Sequence, residues 1–195
     1  MTAISALQSI HKKGLFGNHH KKDEADLLKI SEIKNFSIIQ IFLYKNSKIK
    51  LDSIKIEGLE IPLKNLHVSS NTDTRILWSG PNTWLVISKI ENIIEKIKKS
   101  CSNEDFAVTD ISHSRAIIQI QGIEAKEVLK KGSPINFNDF NKNICVGSVF
   151  HGINIVIDCT DDQSNTFNLL TLRSFGESLY HHITDASLEF GYLGL

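Results

Sequence analysis

The chain predicts an α+β fold of mixed, mainly antiparallel sheets with packed helices, on three observations. Strand-like segments recur without the regular strand-helix alternation of a doubly wound parallel sheet. Two pairs of them are joined by tight turn signals, and only a few segments carry helical spacing. A length of 195 residues with 41% hydrophobic residues supports a core without disulfide or metal staples.

Residues 1–30 read as a basic, solvated arm: Lys12, Lys13, Lys21 and Lys22 accompany His11, His19 and His20, and apolar residues are sparse. In a regular element His19 and His20 point different ways, and no nearby Cys completes a metal site. Residues 31–195 form the folded domain. From Phe36 the chain alternates: Phe36, Ile38, Gln40, Phe42 and Tyr44 fall on one side, Ile39, Ile41 and Leu43 on the other, as in a strand buried on both faces. Residues 49–61 fit two short strands or a short helix lined by Leu51, Ile54 and Leu59. Arg75–Ile87 reads as strand, Gly80-Pro81-Asn82 turn, strand, a hairpin carrying both Trp78 and Trp84. Ser88 stands three residues before Glu91 as a capping box for a helix with Ile90, Ile93, Ile94 and Ile97 on one stripe.

Phe106–Ile111 and Arg115–Gln121 are further strands around Ser112-His113-Ser114, followed by a short helix, 123–131, with Gly132 as its C′ residue. Val146–Phe150 and Ile153–Asp158 form a hairpin across His151-Gly152, and Thr166–Leu172 supplies another strand. Ser174 and Glu177 repeat the capping box ahead of a helix with Phe175, Leu179, Ile183 and Ala186 on one stripe, running to about Glu189. Gly191 and Gly194 then release the C-terminal residues.

Composition narrows the function classes. The 22 Lys and Arg balance 22 Asp and Glu, which argues against a nucleic-acid binder that works through a basic face. No uninterrupted signal-peptide core stands at the start, and no apolar run is long enough to span a bilayer, so a cytoplasmic protein without membrane contact is expected. Cys101, Cys145 and Cys159 lack a C-x-x-C pair and read as reduced thiols that pack. Phosphate-loop, dinucleotide, zinc-protease and nucleophile-elbow motifs are missing. Asp110, His113 and Ser114 contain the parts of a nucleophilic relay, but a tight connection does not make them converge, and such a turn commonly satisfies its own backbone. His181 and His182, adjacent on a helix, diverge by about 100° and cannot share one metal ion. Asp158, Asp161 and Asp162 lack the calcium-loop spacing. Against 19 Lys, the three arginines Arg75, Arg115 and Arg173 stand out, because a guanidinium fork grips a carboxylate or a backbone corner as an ammonium cannot. Trp78 and Trp84 are large anchors, either for a hairpin core or for a partner.

Five colinear stretches carry a resemblance: Arg75-Ile-Leu-Trp-Ser-Gly-Pro-Asn-Thr-Trp-Leu, Ala107-Val-Thr-Asp-Ile-Ser-His-Ser-Arg115, Ile118-Gln-Ile-Gln-Gly122, Val128-Leu-Lys-Lys-Gly-Ser-Pro134 and Leu172-Arg-Ser-Phe175. Together, over about residues 34–191, they resemble the gamma subunit of heterotetrameric sarcosine oxidase. Val108 through Gly122 also resembles the first domain of the glycine cleavage system aminomethyltransferase and related folate-binding proteins. The resemblance implies that fold, and it implies a subunit that holds no cofactor or metal of its own and has no catalytic residues. Its implied partners are an alpha subunit associated with NAD and tetrahydrofolate, a beta subunit carrying FAD and covalent FMN that oxidises sarcosine, and a delta subunit that binds zinc. The complex demethylates sarcosine to glycine and can pass the one-carbon unit to tetrahydrofolate; this chain's share is assembly and stabilisation. Arg75, Trp78, Trp84, His113, Arg115 and Arg173 are the interface or structural candidates. In the wider aminomethyltransferase group a turn near residue 151 carries an Asn, paired glycines and an Asp, whereas here Phe150 passes through His151-Gly152 directly into Ile153. The rival expectation is a free-standing folate-binding or aminomethyl-transfer protein.

Overall fold

The computed structural model describes residues 4–20 and 22–195. Met1, Thr2, Ala3 and Lys21, all within the stretch read as an arm, lie outside the described residues. In chain order the elements are β1 (Gly14–Phe16), β2 (Leu28–Glu32), β3 (Ser37–Leu43), β4 (Lys55–Ile56), β5 (Leu59–Glu60), β6 (Val68–Ser70), β7 (Thr74–Gly80), β8 (Thr83–Ser88), α1 (Ile93–Ser100), β9 (Phe106–Asp110), β10 (Arg115–Gln121), α2 (Ala125–Gly132), β11 (Cys145–Phe150), β12 (Ile153–Asp161), β13 (Thr166–Leu172), α3 (Gly176–Ser187) and β14 (Tyr192–Gly194). The chain divides into two compact units, the second formed by Asn35–His113 with Asn143–Cys145 and the first by the remainder.

The first unit is built on a seven-stranded sheet in the order β1-β14-β2-β10-β13-β12-β11. β1 with β14, β2 with β10, β10 with β13 and β13 with β12 pair antiparallel, whereas β14 and β2 are parallel. Opposed residues share a face, so Ile118, Leu169 and Ile157 line up across three strands, as do Ile120, Phe167 and Cys159, and all six are buried. Helix α3 lies against β10 and β13 and buries Leu179 and Ile183. Its first residue, Gly176, sits so near Ala116 that a Cβ there would be 3.2 Å from the Ala116 side chain.

The second unit carries a five-stranded sheet in the order β6-β7-β8-β3-β9. The expected alternation of β3 is visible in its burial, with Ile39 and Ile41 packed into a cluster with Ile76, Trp84, Val86 and Phe106. Helix α1 closes this cluster with Ile93 and Ile97. No helix among the described residues is long and apolar enough to cross a membrane.

Several local expectations are corrected. Of the two readings of residues 49–61, the structure gives the two short strands and not the helix: Leu51–Ser53 makes only one 3-10 turn, and Lys55–Ile56 pairs with Leu59–Glu60 in a small hairpin whose turn places Glu57 and Gly58 at positive φ. The Ser88 capping box does not form. Ser88 ends β8 fully buried, its hydroxyl bonded to that of Thr74 at 2.8 Å and accepting from the Ile90 N–H at 3.1 Å, and α1 starts later, behind Asn92. Nor does Ser174 cap α3, because Arg173–Phe175 is already a 3-10 turn that runs into the helix. Gly132 is the last residue of α2 and not a left-handed cap; a Cβ there would meet the Phe150 ring at 2.8 Å, so its value lies in close packing. The segment after α3 is not released, since Tyr192–Gly194 is paired on both sides. Within residues 1–30, Leu7, Leu27, Leu28 and Ile30 are buried and β1 and β2 join the sheet, so the described part is structural and not a solvated arm.

Candidate functional site

In the second unit the β7–β8 hairpin places Trp78 directly opposite Trp84 around a turn in which Asn82 has a φ of 57°. Trp84 is only 2% exposed, and its indole Nε1 donates to the Pro62 carbonyl at 2.9 Å. That satisfied donor makes Trp84 a core residue. Trp78 is half-buried at the margin of the same cluster. Arg75, on the other face of β7, donates to Asn143 Oδ1 at 3.3 Å, and Ser70 Oγ donates to the same oxygen at 2.9 Å. The Val68 N–H reaches the Asn143 carbonyl at 2.9 Å, so Asn143 ties a returning strand of chain to β6 and β7. Sequence reasoning missed Asn143; an Asn in a polar loop gave no signal until its positive φ was seen.

His113 is exposed on a 3-10 turn. The relay reading fails on the acceptor: Asp110 Oδ1 takes the Ser112 N–H at 2.9 Å and the Ser112 hydroxyl at 2.5 Å, while Ser112 Oγ accepts from the Ile38 N–H at 2.8 Å. Partial burial pushes the Asp110 carboxyl up, but these bonds and the nearby His113 outweigh it and hold the group below the ordinary carboxylate value. The turn is a clamp on β3.

In the first unit Arg115 begins β10 opposite Leu172, half-buried, and burial lowers its pKa. Arg173 is exposed and its guanidinium donates to the Ile4 carbonyl. Next to it Glu32, whose side chain is 5% exposed, accepts from the Ser5 hydroxyl, from the Ala6 N–H at 3.1 Å and lies 3.5 Å from Lys34 Nζ. Sequence reasoning did not single out Glu32, because the residues before it read as an arm and not as a strand. The His19 and His20 rings, expected to diverge, lie 4.4 Å apart because no regular element holds them. The His182 and His151 rings lie 5.0 Å apart, tilted by 31°, whereas His181 turns toward Glu177 at 3.9 Å. All three Cys are buried. Asp161 accepts from the Ser164 hydroxyl and N–H and closes a turn. Among the described residues no group of three or more His, Cys, Asp or Glu is placed to hold a metal ion. The six singled-out residues therefore do not converge on one pocket within either unit.

The model of the sarcosine oxidase, gamma subunit family matches residues 51–189, well over half of the chain. The chain belongs to this family. Among curated relatives, the sarcosine oxidase subunit gamma of Corynebacterium sp. strain U-96 is 29% identical over 121 residues, covering 60% of this chain and 58% of the relative. That of Arthrobacter sp. is 27% identical over 120 residues, with the same shares. The match thus spans somewhat more than half the length of these relatives. In solved structures, a chain of the heterotetrameric sarcosine oxidase from Corynebacterium sp. U-96, in complex with pyrrole 2-carboxylate, superposes with a TM-score of 0.80 at 20% identity, over 96% of this chain and 95% of that one. The glycine cleavage system aminomethyltransferase T of Bartonella henselae follows with a TM-score of 0.61 at 9% identity, over 82% of this chain and 46% of that one. At these identities the likeness is one of fold, and it places this gamma-family chain in the aminomethyltransferase-like α+β class.

Within that fold the hairpin of β11 and β12 turns on two residues, His151 at φ 45° and Gly152 at φ 82°, the signs of a type I′ turn. Of the six candidates, Arg75, Trp84 and Arg173 have side-chain hydrogen bonds within the chain. His113 sits on the Ser112 clamp.

Proposed function

We propose that this chain serves as the non-catalytic gamma subunit of a cytoplasmic, heterotetrameric sarcosine oxidase, with alpha, beta and delta chains as partners and assembly as its task. The family match over residues 51–189 carries this reading. The two-residue turn at His151-Gly152 supports the absence of transfer chemistry, because it leaves no room for the Asn, glycines and Asp of the aminomethyltransferase turn. On this reading FAD, FMN, NAD, tetrahydrofolate and zinc reside in the partners. The partners oxidise sarcosine to glycine and pass the one-carbon unit on.

Co-expression with the alpha and beta chains of the same source tests it. The tagged beta chain is expected to retain this chain through affinity and size-exclusion steps; a chain that never co-purifies overturns the assignment. Calorimetry with tetrahydrofolate on the isolated chain is expected to show no saturable binding. Tight binding there would favour the folate-binding rival of the same fold.

A further inference from the structure

Of the three arginines that stand out against the lysine background, one has no partner of its own. Arg75 is bonded to Asn143 and Arg173 to the Ile4 carbonyl. Arg115 is half-buried, yet among the described residues its guanidinium has no hydrogen bond and no ion pair. A cation drawn partly out of water without a counter-charge is an unfavourable arrangement for the isolated chain. Burial alone accounts for the lowering of its pKa, with no carboxylate near enough to oppose it.

The surroundings say what would relieve it. Arg115 opposes Leu172 across the β10–β13 ladder, so the two side chains stand on one face at the end of the sheet. Leu172 is 43% exposed, Phe175, on the 3-10 turn that follows, is 47% exposed, and Ile4, held by Arg173, is 67% exposed. Ala6, Ser114, Leu172, Arg173 and Ser174 line one shallow depression here. Glu32, at the same end of the unit as Arg173, is taken by Ser5, Ala6 and Lys34, and no ion pair joins any acid to Arg115 among the described residues. The end of the sheet thus presents an unpaired cation, Arg115, beside the exposed Leu172, on a chain whose net charge is zero.

We infer that the patch of Arg115, Leu172, Phe175 and Ile4 docks a segment of a partner protein that sets an Asp or Glu against the Arg115 guanidinium and an apolar side chain against Leu172 and Phe175. The charge complement selects the acid, and the exposed apolar groups select its neighbour. A planar guanidinium takes a carboxylate through two parallel N–H bonds, and an aromatic with an arginine is the usual make-up of an interface centre. The inference rests on the assembly reading given above.

The test uses the full chain co-expressed with the alpha and beta chains. Arg115→Glu and Leu172→Asp are each expected to lower recovery of the complex at least about tenfold, the loss of a desolvated charge pair or apolar anchor. Arg115→Lys, which keeps the charge and loses the fork, is expected to fall between these and the wild type. Arg115→Met reports on the isolated chain: its thermal midpoint stays level or rises, because no internal partner is lost, while complex recovery still falls. Wild-type recovery of both Arg115→Glu and Leu172→Asp would overturn the docking site and leave the assembly reading standing. A lowered midpoint for Arg115→Met that tracks the lost recovery would overturn it in favour of an internal role. Failure of the wild-type chain to co-purify removes the assembly reading, and this inference with it.

Discussion

Gly17 has a φ of 70°, and a Cβ there would come within 2.3 Å of the Leu188 carbonyl oxygen. Gly17→Ala is therefore strained in conformation and in space, and is expected to destabilise more than Gly132→Ala, whose obstruction is a side-chain ring. The latter should cost about 1–3 kcal/mol in urea unfolding, the range for overpacking. His11 presents a different case. Its Nε2 is buried without a hydrogen-bond partner among the described residues, and its ring meets Tyr180 edge-on at 5.4 Å. Burial, reinforced by Lys34, pulls the imidazole below its ordinary value of 6.5. The folded state then resists the proton that the unfolded chain accepts, so this residue's share of stability is present above 6.5 and is lost as pH falls below it. His11→Phe keeps a ring against Tyr180 and removes the orphaned nitrogen; its thermal midpoint is expected to drop less than the wild type's between about pH 7.5 and pH 5.5. Cys101, pushed by burial from 9.0 to about 11, is expected to stay unalkylated by iodoacetamide in the native protein at pH 8 and to react once unfolded.

The strands show how much a period of two conveys. The boundaries of β10 and β13 coincide with the reading from sequence, and the hairpin with both tryptophans stands where its Gly-Pro-Asn turn puts it. The fold class was legible for the same reason: hairpin signals fix antiparallel neighbours locally. Caps were not legible. A Ser three residues before a Glu is common by chance, and it caps only if it is itself extended and the helix begins directly after it. Ser88 is extended, but α1 starts only at Ile93, and Ser174 lies inside a 3-10 turn. Residues 49–61 left two readings open because Leu51, Ile54 and Leu59 suit a short helix while the same stretch also holds period-2 pairs, and the reversal at Glu57-Gly58 decides for the strands. The candidate site was legible in part: composition picked out Arg115, but its lack of an internal partner is a three-dimensional fact. For the hairpin itself, Trp84→Ala is expected to lose about 3–5 kcal/mol in denaturant titration, as a fully buried ring does. Trp78→Ala, half-buried at the rim, should lose clearly less.

At the scale of the molecule, the residues read as an arm supply two strands of the larger sheet. Removal of residues 1–30 would be harmless for a solvated tail; here it takes β1 and most of β2 from the sheet, and loss of soluble expression is expected. Composition misled because apolar residues are sparse in the segment, yet Leu7, Leu27, Leu28 and Ile30 among them are buried. The order of strands also bears on synthesis. The second unit is nearly continuous in sequence, from Asn35 to His113, so its sheet can close while the ribosome is still adding residues. β2 has been made before it, yet its two neighbours are β10 and β14, and β14 is the last strand of all. Such long-range pairing raises contact order and slows folding. The early strand of the larger sheet must therefore wait, edges open, until nearly the whole chain has emerged, which makes the nascent form of this protein more exposed to aggregation or chaperone capture than the finished one.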